Sequence, residues 1–119
     1  MRELRKAWPL IVPDSPAPWQ PLVDVYRTRD GWLLKFDLAG VGVEDVRVMV
    51  RGRRVSVSGL RKDTVVEEGS SYYSMEISYN RFERSIEMPV NLDHARIALQ
   101  ARDGILLVRM STEGNEHVR

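Results

Sequence analysis

Residues able to do acid–base, metal or nucleophilic chemistry are few, and their spacing is wrong for it. The two histidines, His94 and His117, have neither ligand spacing nor a nucleophile placed beside them by a recognisable motif. Both read as surface histidines. Gly40 and Gly42, in "GVGVED", lack the third glycine of a dinucleotide loop and lead into a strand-like run, so they read as a turn. Arg47, Arg51, Arg53 and Arg54 around Gly52 form a basic cluster with the chemistry to take phosphate. Without interleaved aromatic residues it reads as a solvated hairpin tip. Glu67, Glu68 and Glu76 read as solvated charges rather than as a carboxylate pair. The absence of cysteine excludes a disulfide framework, a thiolate metal site and thiol redox chemistry. The expectation is a protein that is not an enzyme, with no cofactor and no metal.

The elements that carry these residues have a period of two. "LVDVYRT", "GWLLKFDL", "DVRVMVRG" and "RVSVSGL" each alternate apolar and polar residues, separated by Asp30-Gly31, "AGVGVE" and Gly52-Arg53. "YYSMEISY" and "RFERSIEMPV" follow a polar stretch, "RKDTVVEEGSS". The run "LQARDGILLVRM" reads as two strands around an Asp-Gly turn, each with one buried face. Eight or nine strands are thus expected, with no helical segment of adequate length. The fold class is all-β, an immunoglobulin-like antiparallel β-sandwich. Arg84 shares its parity with Phe82, Ile86 and Met88, and a guanidinium on that apolar face needs carboxylate or carbonyl partners. It reads either as a paired structural arginine at an interface or sheet edge, or as an exposed strand residue.

The chain has 119 residues, suited to one domain, and a formal net charge of +1 from 18 basic and 17 acidic residues. That balance gives no field for steering toward nucleic acid or an anionic membrane, so neither is an expected partner. The N-terminal apolar stretch is interrupted by Pro9 and Pro13 and is too short for a signal sequence or a membrane span. A cytoplasmic protein is expected. Five prolines between Pro9 and Pro21 preclude a continuous helix in residues 1–21, an arm whose Trp8, Leu10, Ile11, Val12 and Trp19 should pack on something.

In order and spacing, "VDVYRTRDGWLLKFDLAGVGVEDVRVMV", "VSVSGLRK", "YNRFERSIEMP" and "LQARDGILLV" resemble the α-crystallin domain of small heat-shock proteins. "DLAG" stands for the family's D-L-P-G, "RFERSIEMP" for its G-x-F-x-R-s-f-x-L-P, and Gly104-Ile105-Leu106 for the closing G-v-L. The resemblance covers residues 22–110, between the arm of residues 1–21 and a polar tail of residues 111–119. It implies an ATP-independent chaperone that holds partly unfolded client proteins by exposed apolar surface and suppresses their aggregation. It also implies a homodimer and larger homo-oligomers. The alternative is a co-chaperone or scaffold module of the related CS-domain type, binding a folded partner; "RFERSIEMP" favours the first.

Three sites follow from the resemblance. Val46, Val48, Val50, Ile97, Leu99 and Ala101 are expected to line an apolar client or peptide groove. Ala39, Leu60, Leu99 and Ala101 depart from the family's usual residues and alter its shape. The segment from Arg61 to Ser78 is long for a hairpin loop, and its Tyr72, Tyr73, Met75 and Ile77 would be wasted in solvent. They should form a strand on a partner, pairing, as in the bacterial and plant branch, with Leu22, Val23, Asp24, Val25 and Tyr26. Arg84 is placed at the same dimer interface. The tail "STEGNEHVR" has no Ile-x-Ile/Val motif of the kind that plugs the groove in relatives. Leu10 and Val12, at i and i+2 between two prolines, are the candidate substitute; the alternative is that they pack elsewhere or stay mobile.

Overall fold

The computed structural model describes residues 17–112, and these form two antiparallel sheets packed face to face. One sheet has four strands in the order β1 (Val23–Arg27), β2 (Gly31–Asp37), β7 (Ile105–Ser111), β6 (Arg96–Arg102). The other has three, β3 (Val46–Arg51), β4 (Arg54–Leu60) and β5 (Arg81–Glu87), in sequence order. A single 3-10 turn, Val43–Asp45, leads into β3.

The alternation seen in the sequence decides which side chains meet between the sheets. Leu34, Phe36, Leu106, Val108 and Met110 from the wider sheet pack against Val55, Val57 and Phe82 from the narrower one, all essentially without solvent contact. Leu38, Met88 and Leu92 close the ends. Leu34 lies directly across from Val108, and Phe36 from Leu106, so the β2–β7 pair is the centre of the core. The Asp-Gly turn behaves as its residue types require. Asp103 and Gly104 take φ of 52° and 82°, the two-residue hairpin turn whose twist matches that of its strands. Gly59 is needed for a different reason, because a Cβ there would collide with the Asp45 carbonyl and the Phe82 ring.

Two expectations need correction. "YYSMEISY" is not a strand, so the described residues hold seven strands rather than eight or nine. Strand-forming side chains make a strand only where a neighbouring backbone supplies ladder partners. The neighbouring edge of β5 is already met by Trp19, which bridges Phe82 in parallel. The last hairpin also departs from a simple one-face-buried scheme. Every residue of β6 is exposed, while in β7 Leu107 is buried on the outward face, flanked in register by Lys35 and Gln100.

This unequal burial gives a stability test. Leu34→Ala should lower unfolding stability by about 2–5 kcal/mol, the range for a fully buried leucine, whereas Leu99→Ala on β6 should cost less than about 1 kcal/mol. Urea titration checks both. Equal losses would contradict the placement of the core on β2 and β7 rather than β6.

Candidate functional site

The groove arises from the difference in sheet width. Ile97, Leu99 and Ala101 sit opposite Met110, Val108 and Leu106 in register and so share their inward side. The three-stranded sheet ends at β3, and among the described residues no fourth strand covers β6. Ile97 is 39% and Leu99 53% exposed, although both point to the side on which β7 is buried. Across the gap Val46, Val48 and Val50 are half-buried against the core. Val46, Val48, Leu99 and Ala101 line one cavity of about 230 Å³, together with Val43, Gln100 and Leu106. Val50 and Ile97 lie outside that lining. A second cavity, of about 140 Å³, shares Val43, Val46, Ala101 and Leu106 and extends the depression to Leu38, Val41 and the Asp103-Gly104 turn. The sequence reading missed Val43 and Leu106. Val43 lies in a stretch that reads as a turn, and Leu106 in a strand for which the sequence predicts only one buried face.

The loop between β4 and β5 is closed at its mouth and apolar at its tip. Arg61 N–H donates to the Asn80 carbonyl (3.1 Å) and Arg61 Nη1 to that of Ser78 (3.3 Å). Farther out, Ser70 N–H and Oγ both donate to the Glu67 carbonyl, forming a turn. Tyr72, Tyr73, Met75 and Ile77 are all more than half exposed. Val65, Val66, Tyr72, Met75, Ile77 and Tyr79 border a depression of about 450 Å³ along this loop. On the opposite edge of the wider sheet, β1 pairs only with β2 among the described residues, and Leu22, Val25 and Tyr26 are exposed. The chain therefore has an apolar loop and a free strand edge that do not meet within one copy.

Arg84 lies between Phe82 and Ile86 on the inward side of β5. Its Nη1 donates to the Pro21 carbonyl at 2.9 Å. That bond ties the residues just ahead of β1 to the narrower sheet. Next to it, Trp19 N–H donates to the Arg81 carbonyl (3.2 Å), and Glu83 N–H donates to the Trp19 carbonyl (3.0 Å). The Trp19 indole packs on Phe82 with centroids 5.2 Å apart, donates Nε1–H to the Asn80 carbonyl, and carries the Arg61 guanidinium 4.1 Å above its face. The base of the arm and both ends of the loop thus share one cluster. Trp8, Leu10, Ile11, Val12 and His117 lie outside the described residues.

The remaining candidates for chemistry are dispersed. His94 is exposed; Arg53 Nε–H donates to the Met88 carbonyl; Arg54 stands 3.8 Å from Glu87; and Glu67, Glu68 and Glu76 lie exposed on the loop. Among the described residues no group of three His, Asp or Glu side chains gathers to hold a metal, and no helix is long and apolar enough to cross a membrane.

Comparison with known proteins gives the architecture its relatives. The spore protein SP21 of Stigmatella aurantiaca is 32% identical over 96 residues, covering 81% of this chain and 57% of that protein. The 17.8 kDa class II heat shock protein of Zea mays is 35% identical over 86 residues, covering 71% and 52%. The chain thus spans little more than half the length of these two relatives. Among solved structures, heat shock protein 16.0 of Schizosaccharomyces pombe superposes with a TM-score of 0.68 at 28% identity, covering 77% of this chain and 86% of that one. HspA of Xanthomonas axonopodis does so with a TM-score of 0.65 at 28% identity, covering 80% and 95%. Residues 24–119 match the model of the Hsp20/alpha crystallin family, and with a β-sandwich open along one seam the chain belongs to that family, the small heat-shock proteins.

Proposed function

We propose that the chain is an ATP-independent holdase that binds partly unfolded proteins along the β3–β6 seam and works as a homodimer that assembles further. The observation that carries this reading is the uncovered inward side of β6. Apolar side chains that a wider second sheet would bury remain in solvent beside Val46 and Val48, and they are available to an extended apolar segment of a client. The binding needs no turnover, because the area removed from water supplies the driving force and several seams in one assembly multiply it. Family membership supports a chaperone role. Light scattering of a heated client, with and without the protein, tests the holdase reading, and native mass tests assembly.

The exposed loop supports the dimer. Tyr72, Met75 and Ile77 would gain cover, and β1 a ladder partner, if the loop of each copy lay along β1 of the other in a two-fold exchange.

Leu99→Asp, at a position already half exposed, should leave the fold intact. It should raise the amount of protein needed for half-suppression of client aggregation about tenfold, equivalent to about 1.4 kcal/mol. Val48→Asp should act in the same direction, with a larger loss of stability because that side chain packs on the core. Folded variants that protect as well as the parent would move the client site away from the seam. Deletion of residues 65–75 should convert the dimer to a monomer by native mass spectrometry, and a dimer persisting after deletion would assign the interface elsewhere.

A further inference from the structure

The outward face of the narrower sheet has a charge pattern that none of the surfaces above uses. Its register sets out three rows across β3, β4 and β5: Arg47, Ser58, Glu83; then Met49, Ser56, Ser85; then Arg51, Arg54, Glu87. Within these rows β3 is basic, β5 is acidic at both ends and the middle is mostly serine; a fourth row at the Leu60 end, with Asp45 ahead of β3 and Arg81 on β5, reverses that polarity. Ser56 and Ser85 join their hydroxyls at 2.9 Å, which keeps the centre flat and low. Arg47, Arg51 and Glu83 have no ion-pair partner among the described residues, and the Arg54–Glu87 contact is long, at 3.8 Å between exposed groups. Met49, on the basic column, is 57% exposed, and Leu60, which continues the middle strand on this face, is 39% exposed.

We propose that this face docks on the same face of a second copy of the chain, about a two-fold axis running parallel to the strands. That axis opposes unlike charges in every charged row except at Arg54, with Asp45 facing the partner's Arg81 in the end row. Rotation about a line along β4 lays β3 over the partner's β5 without reversing the order of rows. Arg47 then meets the partner's Glu83, Arg51 meets the partner's Glu87, and the serines meet across the axis, so the low centre lets the long charged side chains reach. An axis perpendicular to the strands through the Met49 row would instead lay β3 on β3 and set Arg47 on the partner's Arg51. Arg54 faces its own copy across the axis, a like-charge contact that the Arg51–Glu87 pairs on either side offset. Leu60 meets Leu60 in the end row, flanked by Asp45 on one side and Arg81 on the other.

The patch is smaller than the roughly 800 Å² per partner of a standard stable interface, so it forms a weak, salt-sensitive contact. Such a contact gains strength when several copies are already joined, and it uses the outward side of β3, β4 and β5, whereas the seam uses the inward side of β3 and the exchange uses β1. It does not depend on the loop exchange, because it adds a step in mass to whatever unit that exchange makes.

The test is sedimentation equilibrium of the full chain at about 0.02 M and about 0.5 M salt, which differ several-fold in screening length. The expected result is a doubling of the salt-resistant mass at low salt. Arg47→Glu with Arg51→Glu should weaken that doubling at least about tenfold, since like charges then face each other. Adding Glu83→Arg and Glu87→Arg to the same chain restores complementarity at the parent's net charge, and the doubling should return. Circular dichroism of each variant confirms folding, and Arg47→Gln with Arg51→Gln gives a milder variant with the same expected direction. A low-salt mass that does not respond to salt, or a fourfold exchange that fails to restore the doubling, would overturn the proposal. Loss of the salt-resistant unit itself would bear on the loop exchange alone.

Discussion

The mismatch between a four-stranded and a three-stranded sheet is the constraint on which the rest of the structure depends. Two sheets of equal width would bury Ile97, Leu99 and Ala101 as they bury Met110, Val108 and Leu106 beside them in register. With no facing strand among the described residues, β6 is held mainly through its ladder with β7, and its inward Ile97 and Leu99 stay partly in solvent. The apolar cost falls on a single strand while the core over β2 and β7 stays dry. Because pairing with β7 maintains β6, the proposed client seam is formed by backbone that the described sheet already holds in place.

The other side of the sandwich is closed by small, specific contacts rather than by a strand. Trp19 provides two backbone hydrogen bonds to the outer edge of β5, and Arg84 fixes the Pro21 carbonyl two residues later. Arg61, stacked on Trp19, also holds the mouth of the β4–β5 loop through the Ser78 carbonyl. The arm therefore enters the domain at the point from which the loop leaves it. This arrangement turns the loop's tyrosines outward and leaves β1 as the free edge of the wider sheet.

Much of this was legible in the sequence, and the misses have physical causes. Period-two alternation located all seven strands, and the Asp103-Gly104 pair located the last hairpin, because both signals depend on backbone geometry local to the residues concerned. The spacing of Arg84 with Phe82 and Ile86 showed that a guanidinium would need a carbonyl or carboxylate, though not that Pro21 would supply it. "YYSMEISY" misled because strand propensity is local while a ladder partner is not. The exposure of β6 was hidden because alternation reports which side faces inward, not whether a second sheet reaches that far. Val46, Val48, Leu99 and Ala101 line one cavity from which Val50 and Ile97 are absent, and Val43 and Leu106 join it only through the chain's path in three dimensions.

Amide hydrogen exchange of the folded protein, alone and in the presence of a heated client, addresses the uncovered seam most directly. The account predicts slower exchange on client binding in residues 96–102 and 46–51, the strands on either side of the seam, with residues 31–37 and 105–111 protected in both states. Protection confined to the arm or to residues 61–80, with β3 and β6 unchanged, would contradict it.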